Sequence, residues 1–219
     1  VLLATPIVVA VLRALSDGGK RQSELRHLAG SPAQTTLRAQ LRRLEEVGAI
    51  ERHRRNAFPG VLEYELTTAG RDLVLVLDVL EHWLEMAPEG SLPVGGTAAK
   101  AAVKALADGW STNVLRALAA GALSLTELDG VIKQLSYPSL ERRLASLRLV
   151  GLIEPQPGNG RGTPYAVTDW LRLGVGPFVA AARWERRRLP EHTPPIGSLD
   201  IETAFLLAVP RLRPAGDLA

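Results

Sequence analysis

Apolar positions near the start of the chain fall at helical spacing: Ile7, Val8, Val11, Leu12 and Leu15, with Gly18-Gly19 stopping the run. A short helix is expected over Ser23–Leu28 with Ser23 as its N-cap. Ser31-Pro32 then opens a third helix, proline lying in the first turn where a missing N–H costs nothing. Leu37, Leu41, Leu44 and Val47 give that helix one buried stripe, and Gly48 ends it because glycine tolerates positive φ. Ile50–Arg52 and Val61–Leu66 read as two strands joined by the loop His53–Gly60, and a long helix from about Thr67 to Met86 follows.

The same order of signals recurs. Leu12-Arg13-Ala14-Leu15 returns as Leu115-Arg116-Ala117-Leu118, 103 residues on, and that offset carries Glu24-Leu25 to Glu127-Leu128. It also carries Leu37, Leu41 and Leu44 to Leu140, Leu144 and Leu147, and Val47-Gly48 to Val150-Gly151. Beyond a Gly-rich loop the offset becomes 101, taking Tyr64, Thr67 and Trp83 to Tyr165, Thr168 and Trp184. Register held through so many residue types predicts an internal repeat. The expected organisation is a first domain over 1–87, a Pro/Gly-rich linker over 88–105, a second domain over 106–188 and a Pro-rich segment with a C-terminal helix over 189–219. Asp169–Pro177, with Gly174, Gly176 and Pro177, should interrupt the helix after the second ribbon.

Composition narrows the chemistry. With 219 residues, 46% hydrophobic and 22% charged, the chain suits two domains of about 100 residues rather than a disordered polymer. The formal net charge is +3 and the sequence pI about 9.6, which permits an acidic partner. Cysteine is absent, which excludes disulfides, thiolate metal sites and thiol redox sensing. His27, His53, His82 and His192 lack metal-ligand spacing, so no metal and no cofactor is expected. No catalytic constellation or phosphate-binding glycine loop is visible, so an enzyme is not expected. No apolar run reaches the ~20 residues of a membrane helix and no leader pattern is seen; a cytoplasmic protein is expected.

Three helices, a two-stranded ribbon and a closing helix are the parts of a winged helix-turn-helix, so the fold class expected is mainly α with small β-ribbons (α+β), in two tandem winged domains plus closing helices. In such a domain the third helix enters the DNA major groove while the ribbon tip reaches phosphate. With the leucines inward, at ~100° per residue, Gln34, Thr35, Thr36, Arg42 and Arg43 face outward and Arg38 lies at the flank. Arg52, Arg54 and Arg55 bring positive charge to the wing. In the second domain the candidates are Tyr137, Ser139, Arg142, Arg143 and, in its shorter wing, Arg161. Hydroxyls and guanidinium groups are the types that bond phosphates and base edges. The run Arg183–Arg188 is more readily a solvated helix end than a ligand site.

The pattern of Pro59, Glu63-Tyr64, Leu66-Thr67, Gly70, Leu73 and Trp83 resembles the wing-to-helix signature of HxlR-type regulators, relatives of the MarR group. Glu24-Leu25 and the Leu37, Leu41, Leu44, Gly48 spacing are similar to that family's helix-turn-helix, and Trp110, Val114 and Leu115 to its opening helix. Gln22 and Ser124 depart from it, standing where an aromatic residue and an arginine are usual. The resemblance implies a DNA-binding transcription regulator acting on double-stranded DNA, in which paired winged helices each supply one reading helix. One chain here would be its own pseudo-dimer or would pair as a homodimer. Trp83 and Trp184, at equivalent repeat positions, are expected to pack between the closing helices, and Trp110 and Trp170 to be core. The alternative is a small apolar or aromatic effector in a cleft between the domains, near Trp110, Trp170 and the closing helices that carry Trp83 and Trp184. The competing readings are a ligand-sequestering resistance protein on the same scaffold and a protein-binding tandem module.

Overall fold

The computed structural model describes residues 2–55, 61–107, 109–158, 162–188 and 207–208. Helix α1 (Pro6–Ser16) starts with proline at its first position and buries Val8, Val11, Leu12 and Leu15. Gly18, at φ +116°, turns the chain into β1 (Lys20–Arg21), α2 (Gln22–Leu28) and α3 (Gln34–Glu46). The ribbon β2 (Ile50–Arg55) and β3 (Val61–Leu66) leads to α4 (Thr68–Glu85). The strands form one antiparallel sheet in the order β1-β3-β2, with Ile50 opposite Leu66 and Lys20 opposite Tyr64.

Three boundaries differ from expectation. Helix α2 begins one residue early, because the Glu24 carboxylate accepts the Arg21 backbone N–H (2.6 Å); Ser23 sits inside the first turn instead of capping it. Helix α3 begins at Gln34, not at Pro32. Gly30 (φ +79°) and Ser31 (φ +55°) form a left-handed turn, the Ser31 N–H bonds the Arg26 carbonyl (2.8 Å), and Pro32 closes that turn by accepting from Arg26 Nε (3.0 Å). Strand β2 runs on to Arg55, so His53, Arg54 and Arg55 extend the ribbon rather than the loop. The two-residue β1 carries too few residues for an alternating pattern to announce it.

The second half follows the same plan. Helix α5 (Thr97–Ala107) occupies part of the stretch expected as linker; Ala99 and Ala102 are buried, so the connector proper is shorter. Then come α6 (Gly109–Ala119), β4 (Leu123–Ser124), α7 (Leu125–Val131), α8 (Tyr137–Leu149), β5 (Ile153–Pro155) and β6 (Pro164–Val167). The sheet order is β4-β6-β5, with Ile153 opposite Val167 and Leu123 opposite Tyr165, the repeat equivalents of the first sheet's pairs. The closing helix is broken into α9 (Asp169–Leu173) and α10 (Val175–Arg188) at Gly174, the interruption the glycines imply.

The local devices match closely. Gly48 (φ +68°) and Gly151 (φ +74°) each end a helix with the same pair of bonds: Gly48 N to Glu45 O and Ala49 N to Leu44 O, Gly151 N to Arg148 O and Leu152 N to Leu147 O, all 2.9–3.0 Å. The hydroxyls of Thr67 and Thr168 accept from the third helical N–H after them (Gly70 and Leu171) and donate back to the Gly48 and Gly151 carbonyls. Gly70 is required by close approach, since a Cβ there would lie 1.9 Å from the Ala49 carbonyl oxygen.

Two hydrophobic cores form, and each borrows a tryptophan from the other half. Trp184 of α10 is buried (5% exposed) among Leu12, Leu73 and Leu77, whereas Trp83 of α4 (2%) joins Leu115, Leu144 and Leu171. Helices α4 and α10 pack along this seam, where Arg188 bonds Asp72 (Nε to Oδ2, 2.9 Å). Arg13 of α1 is paired with Asp78 (2.6 Å) and Glu81 of α4. Such half-exposed pairs are worth about 0–1 kcal/mol each, so apolar burial holds the seam. Of the C-terminal segment, only Leu207–Ala208 lies within the described residues; it is helical, with Leu207 buried in the second core.

Candidate nucleic-acid interface

The leucine stripe fixes the face of α3. Leu37, Leu41 and Leu44 are buried, which leaves Gln34, Thr35, Thr36, Arg38, Arg42 and Arg43 exposed on the opposite side. Arg38, Arg42 and Arg43 form no side-chain hydrogen bond or ion pair with other described residues. Three guanidinium groups beside two hydroxyls and an amide, all in solvent, make a surface with about nineteen N–H and O–H donors, the inventory that phosphate and base-edge contact needs.

The wing is tied to this helix at its base. Arg52, opposite Tyr64 in the ribbon, pairs with Glu45 near the end of α3 (2.5 Å). Tyr64 is buried beneath, and its phenol is held above its ordinary pKa by burial and then by the nearby Glu45 carboxylate. This pair ties the base of the ribbon to α3, with the Arg52 side chain still half-exposed. His53 meets Glu51 (3.1 Å). Arg54 is exposed and bonds no described residue, while the Arg55 side chain and the wing tip at 56–60 lie outside the described residues.

The second unit differs at the equivalent places. Tyr137 and Arg142 are exposed on α8 and Ser139 is half-buried, and Arg142 and Ser139 bond each other. Arg142 donates to the Ser139 hydroxyl and the Pro138 carbonyl (both 3.3 Å), and Ser136 donates to Ser139 (2.9 Å). Arg143, expected to face outward, is half-buried and turns back to Ser111 of α6 (3.4 Å). Its position follows Leu140 by three residues, on the inward flank of the stripe, which turns it toward α6. The strings Arg42-Arg43-Leu44 and Arg142-Arg143-Leu144 look alike but sit one turn apart: by the offset, Arg38, Arg42 and Arg43 correspond to Glu141, Ala145 and Ser146. The sequence contained that signal, and the local likeness hid it. Arg161 lies outside the described residues.

The tryptophans expected around an effector are packed against protein. Trp83 and Trp170 stack with ring centroids 4.6 Å apart and planes 8° from parallel, and each indole N–H donates to the other's carbonyl (both 2.8 Å). Trp184 donates to the Ala69 carbonyl (2.7 Å). With 2, 4 and 5% of Trp83, Trp170 and Trp184 exposed and every indole N–H of the three bonded, no ring face remains for a ligand. The Trp110 side chain lies outside the described residues. An open groove does run beside α8, lined among others by Tyr137, Glu141, Leu144 and Tyr165, and no tryptophan lines it. Among the described residues no group of His, Asp and Glu could hold a metal, and no helix is long and apolar enough to cross a membrane.

A helix with an exposed cationic face, followed by a twisted ribbon and a closing helix, defines the winged helix-turn-helix class. Residues 5–90 match the family model for the HxlR-like helix-turn-helix, and this segment is an HxlR-like helix-turn-helix domain. The chain is 44% identical over 73 residues to YtcD of Bacillus subtilis (strain 168), named an uncharacterized HTH-type transcriptional regulator, covering 33% of this chain and 58% of YtcD. It is 40% identical over 75 residues to YdeP of the same organism, similarly named, covering 34% and 59%. The chain thus spans a little over half the length of these curated relatives. Among solved structures it is similar to the diamide-treated YodB from B. subtilis (27% identity, TM-score 0.36, 38% of this chain and 83% of that one). It is also similar to a regulator assigned to the MarR family from Enterococcus faecalis V583 (30%, TM-score 0.35, 37% and 74%). The relatives carry regulator names, not enzyme names.

Proposed function

We propose that this chain is a sequence-specific DNA-binding transcription regulator that works in the cytoplasm, and that its two winged units arose by tandem duplication. The observation that carries the reading is the α3 face: Thr35, Thr36, Arg38, Arg42 and Arg43 all exposed, their guanidinium groups unpaired among the described residues, on the helix that the fold directs into a major groove. The match of residues 5–90 to the HxlR-like family and the regulator names of the relatives support it. The strand-by-strand agreement of the two sheets and their shared caps support the duplication. A reading in which both α3 and α8 enter DNA, giving unequal half-sites, is favoured by the exposure of Tyr137 and Arg142. Responsiveness to an effector has no support from Trp83, Trp170 and Trp184, which are committed to packing.

The test is binding to the chain's own upstream DNA against a scrambled duplex over a salt series. A regulator should prefer its site by about 10³-fold or more, with log affinity falling linearly as log salt rises. Equal, weak binding to both duplexes, and to any site recovered from a random pool, would sink the reading.

A further inference from the structure

In a twofold dimer each interface contact occurs twice, residue i to j and j to i. The seam of this single chain behaves the same way. Trp83 Nε1 donates to the Trp170 carbonyl and Trp184 Nε1 to the Ala69 carbonyl (2.8 and 2.7 Å). The 101-residue offset that carries Trp83 to Trp184 also carries Ala69 to Trp170, so these are one contact made in both directions. Gly174 makes room for it, as a Cβ there would lie 3.2 Å from the Trp83 ring. A second copy of the chain would have to use this surface to pair in the same way, and it is already filled from within.

The two faces held by that seam are unequal. Where α3 shows Arg38, Arg42 and Arg43, α8 shows Glu141, Ala145 and Ser146. Where the first ribbon carries Arg52 and Arg54, the second carries Pro155 and Pro157. Near the end of α8, Leu149 is 84% exposed where α3 has Glu46. A carboxylate in place of a guanidinium on a groove-facing helix repels the phosphates that the arginine would attract.

We infer that one chain engages one half-site of duplex DNA, through α3 and Arg54 of the first ribbon and not through α8, and that the second unit serves as a built-in dimer mate. The inference rests on the proposed DNA-binding reading and decides between its two versions. The second unit's contribution is mechanical: it completes the core around Trp83 and orients α4, and through it the first winged helix.

The experiment is selection of duplexes from a random pool with the full chain, followed by titration and footprinting on the enriched sequence. The expected result is one contiguous block of specified base pairs bound at one chain per duplex. Arg38→Ala and Arg42→Ala should each weaken binding about tenfold or more, whereas Arg142→Ala and Ser139→Ala should each change it less than about twofold. All four side chains reach the surface, and circular dichroism verifies that each variant folds. Two blocks about 10 base pairs apart, one of them lost on Arg142→Ala, would overturn the inference while leaving the regulator reading intact. An unenriched pool would overturn both.

Discussion

Gly48 and Gly151 end their helices with the same two hydrogen bonds, Thr67 and Thr168 cap the next helices in the same way, and the two sheets share order and register. Yet α3 turns to solvent three arginines unpaired among the described residues, while α8 turns out Glu141, Ala145 and Leu149 and ties Arg142 to Ser139. The two winged units therefore separate two demands on a sequence. Backbone devices and buried leucines specify the fold, and both halves keep them. The solvent face is under no packing constraint and differs between them. A third region, the seam, belongs to neither half, because each core is completed by the other half's tryptophan.

The largest expected effect tests that seam. Trp83→Ala should cost about 3–5 kcal/mol of stability, read by urea denaturation, because it empties a buried ring site and removes the indole N–H that the Trp170 carbonyl accepts. Trp184→Ala should cost the same order, less the ~0.5–1.5 kcal/mol of the Trp83–Trp170 stack. A near-neutral Trp184→Ala would break the pseudo-twofold comparison.

Next in size is the DNA contrast. Replacing Arg38, Arg42 and Arg43 by alanine should cost about 1–3 kcal/mol of specific affinity for each base contact removed, with stability nearly unchanged. Fluorescence anisotropy with a labelled operator would measure it. Full retention of affinity would show that α3 does not read DNA.

The frameworks should respond alike. Gly48→Ala and Gly151→Ala each force a Cβ into the left-handed region and should each lose about 1–2 kcal/mol. A Cβ at 48 meets nothing within 4 Å and one at 151 meets only ordinary contacts, so strain dominates at both. Thermal melts in which one variant is silent would show that the two helix ends are not equivalent.

The smallest effect is at the start of α7. Glu127 accepts from the Ser124 backbone N–H and hydroxyl (both 2.7 Å), and these bonds hold its carboxyl below the ordinary value. A depressed folded-state pKa adds stability at pH above the ordinary carboxylate range, and that addition is lost as pH falls through the folded-state pKa. Wild type should thus be slightly more stable than Glu127→Gln at neutral pH, and the gap should close in acid. A gap that widens in acid would contradict the capping role.

Much of this was readable from the chain itself. Leucines at 3.6-residue spacing, Gly48 and Gly151 after them, Thr67 before a long apolar helix and the 103-residue register are local signals, because capping and amphipathic burial act over a few residues. They gave the elements, the order and the α3 face. Boundaries failed where a nearby group took over an end, as Glu24 did for α2 and the Gly30–Ser31 turn did before α3.

The tertiary structure decided what depends on partners far apart in sequence. Trp83 and Trp170 are 87 residues apart, and no local pattern can say that their rings stack and bond instead of lining an effector cleft. The pairing of Arg52 with Glu45 and of Arg143 with Ser111 is likewise written in no local pattern. The sequence by itself determined which surfaces are buried and which chemistry each half owns. Only the packed chain decided which of those groups are already spent on each other, because a side chain's availability depends on every neighbour the fold brings to it.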